Sequence, residues 1–341
     1  MVSRFLLILR SRLLFALMGL RRWVPGFMGF GVREVDGEPV SRSLRWFLRL
    51  VLAEPSKSTP ANKRLVYDII SDSYLAGPIL PVEVVDIAAS DELPVPVRIY
   101  RPGGRKKPTP CVMWIHGGGY VIGSLKSHDR FCRQLCQRAD VAVLALDYRR
   151  APEHPFPAAH EDVAGVYRWL RQNAEILGFQ LERIAVGGDS AGGGLAAVLC
   201  QSLEADKQPF LQVLCYPGTD LSKAYPSYDA WANGYFLNRK VMRWFLNHYC
   251  PLELREEPRA SPLLATSLSG QPPTLVLTAG LDPLQDEGKA YADKLERDGV
   301  SVDRMHVGPM VHGFITLIGV LPVAHSAVCN LASKVGARLR G

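Results

Sequence analysis

The chain has 341 residues, is 48% hydrophobic and 21% charged, and carries a formal net charge of +7. This is ordinary globular composition, enough for one α/β domain with an added lid or for two small domains. The excess charge is concentrated at one end. No Asp or Glu precedes Glu34, whereas Arg4, Arg10, Arg12, Arg21 and Arg22 do, and the nearly balanced main body bears no nucleic-acid footprint.

Within residues 3–22, Phe5–Leu9 and Leu13–Leu20 are apolar and are interrupted by Arg10-Ser11-Arg12. A transmembrane helix needs about 20 apolar residues without such a break. A secretory signal needs a longer uninterrupted core and a small-residue cleavage site. At about 100° per residue, Ser3, Arg4, Arg10, Ser11, Arg21 and Arg22 share a narrow arc opposite Leu, Ile, Phe and Met; Arg12 lies off it. Two readings stay open: an interfacial helix making peripheral membrane contact, or a helix packed on the protein's own body. The expected location is cytoplasmic, with membrane association through this helix as the first reading's consequence.

Residues 23–80 are punctuated by Pro25, Pro55 and Pro60, and 41–52 and 61–73 read as amphipathic helices. Strand patterns follow. Val82–Ala88 and Val95–Tyr100 alternate around the polar Ser90-Asp91-Glu92, as an antiparallel hairpin would. Cys111–Ile115, Val141–Leu146, Ile184–Val186, Leu211–Cys215 and Leu275–Thr278 are continuous apolar runs, and Ser301–Val307 is the eighth candidate. Helical patterns at Arg130–Arg138, Ala158–Asn173, Leu195–Leu203 and Asp286–Arg297 separate most of the later strands. Such alternation predicts a mostly parallel eight-stranded sheet covered on both faces, in an α/β fold. It lapses between Tyr216 and Pro273, where a Trp- and Tyr-rich insertion with a helix at Arg239–Tyr249 reads as a lid. The expected division is therefore helices in 1–80 contributing to a cap, a core of 81–216 and 273–341, and a cap insertion at 217–272.

Seven cysteines (111, 132, 136, 200, 215, 250 and 329) form no C-x-x-C pair, and Cys111, Cys200 and Cys215 lie in apolar runs. They read as buried free thiols of a reducing compartment. Cys132 and Cys136 are one helical turn apart, but no His or Cys pair answers them at ligand spacing, so no metal is expected.

The chemistry centres on Gly188-Asp189-Ser190-Ala191-Gly192, which follows the apolar Arg183–Val186 and precedes the Ala- and Leu-rich Leu195–Leu203. G-x-S-x-G between strand and helix is a nucleophile elbow. A serine on so tight a turn needs neighbours without side chains, and the helix N-terminus behind it favours developing negative charge. A phosphate loop is the weaker reading: G-x-x-x-x-G-K-[ST] is absent, and Asp189 would repel a phosphate. After the third strand comes His116-Gly117-Gly118-Gly119-Tyr120. Its glycines let the N–H groups of Gly118 and Gly119 converge as an oxyanion hole, joined by the N–H of Ala191, with His116 and Gly117 supporting the loop. For the acid, Asp282 sits nearest the end of the strand Leu275–Thr278, whereas Asp286 and Glu287 open the next helix, where carboxylates are ordinarily structural. Among eight histidines, His116 belongs to the glycine loop, His154 to a proline-rich stretch and His306 to the last strand. His312 follows that strand, just before a helix, and completes the order Ser190…Asp282…His312 expected of an α/β-hydrolase.

With these residues assembled, the chain resembles the hormone-sensitive lipase family of esterases. The resemblance rests on His116-Gly117-Gly118-Gly119, Gly188-Asp189-Ser190-Ala191-Gly192, Asp282-Pro283-Leu284 and His312-Gly313-Phe314. Asp147-Tyr148-Arg149 and Ala151-Pro152-Glu153-His154-Pro155-Phe156-Pro157-Ala158-Ala159 add to it, and together these cover roughly residues 82–339. Arg150 departs from the apolar residue expected before Ala151. The resemblance implies an α/β-hydrolase core under a helical cap, and carboxylesterase activity on small-molecule esters with short or medium acyl chains. No cofactor is called for. Family members often dimerise through the edge of the last strand, which leaves a homodimer open here. The expected reaction is two-step acyl transfer from Ser190, with His312 as base and Asp282 holding the imidazole. Tyr120, Tyr216, Trp231, Tyr235 and Phe236 are candidate pocket residues. An amide or carbamate hydrolase would use the same triad. A non-catalytic receptor on this fold is expected to lack the base, and His312 is present.

Overall fold

The computed structural model describes residues 34–341 apart from 42–43, 46–47, 49–58, 72–75, 91, 105–107 and 234. The helix expected at 3–22 lies outside the described residues, as does most of the one expected at 41–52. Eight strands form one sheet: β1 Glu83–Ala88, β2 Pro96–Arg101, β3 Thr109–Ile115, β4 Ala142–Leu146, β5 Phe179–Asp189, β6 Leu211–Cys215, β7 Thr274–Leu281 and β8 Val302–Val311. Their order across the sheet is β8-β7-β6-β5-β3-β4-β2-β1, with β1–β2 and β2–β4 antiparallel and the other pairs parallel. All eight expected strands are present. The fifth is longer than its apolar run: β5 begins at the buried Phe179, which pairs with Thr109, and runs through the exposed Leu181 and Glu182 before the apolar run.

Every residue of β3, β4, β6 and β7 is buried, as the all-apolar runs require of strands covered on both sides. One face packs on α2 (Asp129–Ala139) and α8 (Pro322–Arg340), with Leu135, Val328, Leu331 and Val335 in the contact. The other packs on α3 (Ala158–Asn173), α4 (Ala191–Ser202) and α7 (Gln285–Arg297), with Val163, Leu195 and Leu295 inside. Between β6 and β7 lie α5 (Pro226–Ala230) and α6 (Arg239–Tyr249). A helix before the sheet, α1 (Pro60–Ser71), reaches the same side of the molecule: its Lys63 lies 5.3 Å from the Trp244 ring of α6.

His306 is in the last strand as expected, and its side chain is partly exposed rather than enclosed. Thr278 Oγ1 bonds its Nδ1 at 2.8 Å, and Asp36, in the two-stranded turn Glu34–Pro39, meets its Nε2 at 2.8 Å. Six cysteines are buried free thiols, while Cys329 is partly exposed on α8. Among the described residues no helix is long and apolar enough to cross a membrane.

Candidate active site

Strand ends bring the chemistry together. Ser190 follows β5 and opens α4, with φ 56° and ψ −122°. This left-handed backbone is strained for any residue with a Cβ, at a typical cost of about 1–3 kcal/mol. The turn closes only because its neighbours are glycines. A Cβ on Gly192 would stand 2.0 Å from the Ile115 carbonyl oxygen, and one on Gly188 would stand 2.4 Å from Gly192.

Asp282 and His312 follow adjacent parallel strands, and the register decides that they meet. Val307 pairs with Ala279, but Val311 pairs with Leu281, so an irregularity at Gly308-Pro309 absorbs two extra residues of β8. Without it His312 would fall opposite Leu284; with it His312 stands beside Asp282. Gly280 permits the bulge, since a Cβ there would lie 2.2 Å from the Gly308 oxygen. His312 Nδ1 is 2.8 Å from Asp282 Oδ2, and His312 Nε2 is 2.7 Å from Ser190 Oγ. The other Asp282 oxygen accepts the Leu284 N–H at 2.8 Å, and Asp282 is fully buried. A buried carboxylate on one ring nitrogen favours the tautomer that leaves the other free to accept a proton from the serine.

The glycine loop folds over the elbow. The N–H groups of Val121 and Ile122 turn back onto the Gly118 carbonyl, and neither Gly118 nor Gly119 donates to a backbone acceptor among the described residues. Both glycines have positive φ (129° and 58°) and line a cavity together with Ala191, Ser190 and His312. Residues behind the loop fix it. His116 stacks on Tyr148 at 4.3 Å, and its Nδ1 lies 2.9 Å from the Gly117 oxygen. Burial lowers the His116 pKa, against the opposing pull of Asp147, so the ring serves as a neutral prop.

Asp189 is a support that motif reading missed. Its Oδ1 accepts the Gly117 N–H at 3.0 Å and lies 3.1 Å from His128 Nε2. Burial pushes this carboxyl upward, but the His128 charge and the hydrogen bonds from His128 and Gly117 outweigh it and hold the pKa below its ordinary value. Asp189 is thus a carboxylate that holds the loop through Gly117. Its position inside G-x-S-x-G was legible; its partner His128, 61 residues away in sequence, was not.

A second prop is Tyr120, whose ring stacks on Tyr249 at 3.7 Å, while the Tyr249 hydroxyl meets His160 Nε2 at 2.8 Å. Burial, then the charge of Arg259, push His160 down to about 3. An unfolded chain's imidazole, with pKa about 6.5, is protonated first as the pH falls. The contribution of His160 to stability is therefore complete above about pH 6.5 and is lost progressively towards pH 3. Urea unfolding of a His160→Gln chain should show an acid limb shallower by up to about one proton between those pH values. Parallel limbs in mutant and parent would show that the ring titrates normally.

The cavity measures about 360 Å3. Of the five aromatic candidates, Tyr120 and Phe236 line it; Tyr216 instead packs beneath His312 at 4.8 Å, and Trp231 and Tyr235 pack on each other at 5.1 Å. Its other walls come from α6 (Val241, Met242, Trp244, Phe245) and from Val66 and Tyr67 of α1. The amphipathic pattern of Arg239–Tyr249 could have revealed the α6 face; nothing local marks Tyr67 as a pocket residue. Among the described residues no cluster of His, Cys, Asp and Glu could hold a metal ion.

Comparison with known proteins agrees with this fold. Residues 112–316 match the profile of an α/β-hydrolase-fold family. The chain is 42% identical over 257 residues to the carboxylic ester hydrolase LipN of Mycobacterium tuberculosis, covering 71% of this chain and 67% of that one. It is 40% identical to an ethyl acetate hydrolase of Pseudomonas putida, covering 80% and 83% of the two chains. Among solved structures, an ester hydrolase from the Lake Arreo metagenome, complexed with a bipyridine phosphonate derivative, superposes with a TM-score of 0.82. It is 38% identical and covers 89% of this chain and 100% of that one. With its serine elbow, its glycine loop and these relatives, the chain belongs to the α/β-hydrolase family, in the hormone-sensitive lipase-like branch of carboxylic ester hydrolases.

Proposed function

We propose that the chain is a serine carboxylesterase acting on small-molecule esters with short- to medium-length acyl chains. The observation that carries the reading is the continuous hydrogen-bonded line Ser190 Oγ–His312–Asp282, with both links under 3 Å, at the wall of an apolar cavity. Ser190 attacks the ester carbonyl as His312 Nε2 takes its proton, and Asp282 stabilises the resulting imidazolium. The N–H groups of Gly118, Gly119 and Ala191 receive the oxyanion, a contribution of ~10²–10³ in rate for each donor. His312 then protonates the departing alcohol, and water releases the acyl group by the same route in reverse.

In this reading α1 and the insertion 217–272 form a cap over the core. The Phe245 ring of α6 lies so close to Gly119 that a Cβ there would meet it at 2.3 Å, so the cap closes directly on the oxyanion loop. A cavity of about 360 Å3 suits a small ester and leaves little room for a long acyl chain. Hydrolysis of p-nitrophenyl esters from C2 to C16 tests this: kcat/KM should peak at C4–C8, fall at least ~10-fold by C12, and vanish for every chain length in Ser190→Ala. A maximum at C16 would overturn the chain-length assignment. A loss of less than ~100-fold in the mutant would overturn the mechanism.

A further inference from the structure

Glu287 is fully buried, lines the cavity and has no part in the acyl-transfer steps above. It lies in the first turn of α7, where a carboxylate usually serves its own helix. Here its bonds run elsewhere. Oε1 accepts the N–H groups of Thr219 (2.6 Å) and Asp220 (3.2 Å), and the Thr219 hydroxyl donates to the Glu287 carbonyl at 3.0 Å. Oε2 accepts the hydroxyl of Tyr228 on α5.

The loop held in this way is the one that backs the serine. The Gly218 N–H donates to the Ser190 carbonyl at 3.1 Å, and the Ser190 N–H donates to Cys215 at the end of β6 at 2.9 Å. Both polar groups of the Ser190 backbone therefore rest on residues 215–218, directly before the two N–H groups that Glu287 grips. A Cβ built on Gly218 would lie 4.0 Å from both Glu287 Oε1 and the Ser190 oxygen, so this residue packs against both.

We propose that Glu287 is a positioning residue that clamps the 216–221 loop behind Ser190 and, through Tyr228, ties the cap helix α5 to the same point. It sets the angle at which the strained serine is presented. The proposal rests on Ser190 being the nucleophile. Ionisation of the clamp is its second consequence. Burial raises the Glu287 pKa to about 8, against the three hydrogen bonds it accepts. The titratable groups that face it are Asp220, Tyr228, Tyr225 and Tyr120, with Asp286 beside it in the chain, and none of these is a cation. Above about pH 8 an uncompensated charge would form behind the site in which the oxyanion develops, opposing it.

The test compares the parent chain with Glu287→Ala, Glu287→Gln and Ser190→Ala, using p-nitrophenyl butyrate turnover and the rate of phosphonylation by a p-nitrophenyl alkylphosphonate. A misaligned serine should lower kcat and the phosphonylation rate together, by ~10- to 100-fold in Glu287→Ala, beyond any rise in KM from the loosened α5. Glu287→Gln keeps an acceptor oxygen for the two N–H groups and should recover most of the loss. It should also lack the fall in kcat that the parent shows above pH 8. Full phosphonylation speed in folded Glu287→Ala would overturn the proposal, leaving Glu287 a packing group. If that variant does not fold, Glu287→Gln still decides: an alkaline limb identical to the parent's overturns it. Labelling of Ser190→Ala, or a loss of turnover in it smaller than ~100-fold, would instead bring down the nucleophile assignment, an outcome distinct from either.

Discussion

Ser190→Ala should reduce kcat for p-nitrophenyl butyrate by ~10⁴–10⁶-fold while the circular dichroism spectrum and melting temperature stay nearly those of the parent. The expectation follows from position. Ser190 Oγ lies within hydrogen-bond reach of His312 Nε2, and its backbone is held by bonds that alanine keeps. His312→Ala should lose as much, and the double variant should lose no more than either single one, because the proposed nucleophile and base would act as one unit. What remains belongs to the loop N–H groups, which still bind a developing oxyanion when water attacks. Initial-rate kinetics on protein repurified from an esterase-free host would check all three variants. A loss of less than ~100-fold in Ser190→Ala would be incompatible with the covalent route.

Asp282→Asn should reduce kcat by ~10⁴-fold, whereas Asp286→Asn should stay within a few-fold of the parent. Both carboxylates follow β7, only four residues apart, yet they face different partners. Asp282 Oδ2 is bonded to His312 Nδ1, and an amide there would present its own donor to the ring and favour the wrong tautomer. Asp286 Oδ2 accepts the Ser227 N–H at 2.8 Å and so anchors α5. Its loss should loosen the cap and raise KM before it touches kcat. Equal losses in the two variants would mean that the anchor and the acid are not separable. A pH–rate profile of Asp282→Asn, measured beside the parent, would show whether its residual activity still depends on a neutral imidazole.

Much of this was legible in the sequence for a simple reason. Parallel strands buried on both faces are written as unbroken apolar runs, and the loop immediately after such a run must emerge at one edge of the sheet. Ser190, Asp282 and His312 could therefore be placed together without knowing a single distance. The glycines could be read as well, since Gly188 and Gly192 are positions where a methyl group has nowhere to go. What could not be read were contacts between residues that share no local pattern. The two-residue slip of β8 that aligns His312 with Asp282 leaves no trace except Gly308-Pro309. The grip of His128 on Asp189 and that of Glu287 on Thr219 join segments 61 and 68 residues apart. Composition marks Tyr216 and Trp231 as pocket aromatics, but Tyr216 packs on His312 and Trp231 on Tyr235, and α1 supplies Tyr67 to the cavity.

The backbone of Ser190, at φ 56° and ψ −122°, carries one more implication. Glycine would occupy that conformation with less strain than serine. Drift at this codon towards glycine would therefore run downhill in folding energy while abolishing turnover, so stability screening alone would reward chemically dead descendants. A directed-evolution campaign on this scaffold has to select for hydrolysis in every round, because thermal robustness by itself pulls against the very residue the sheet is built to display.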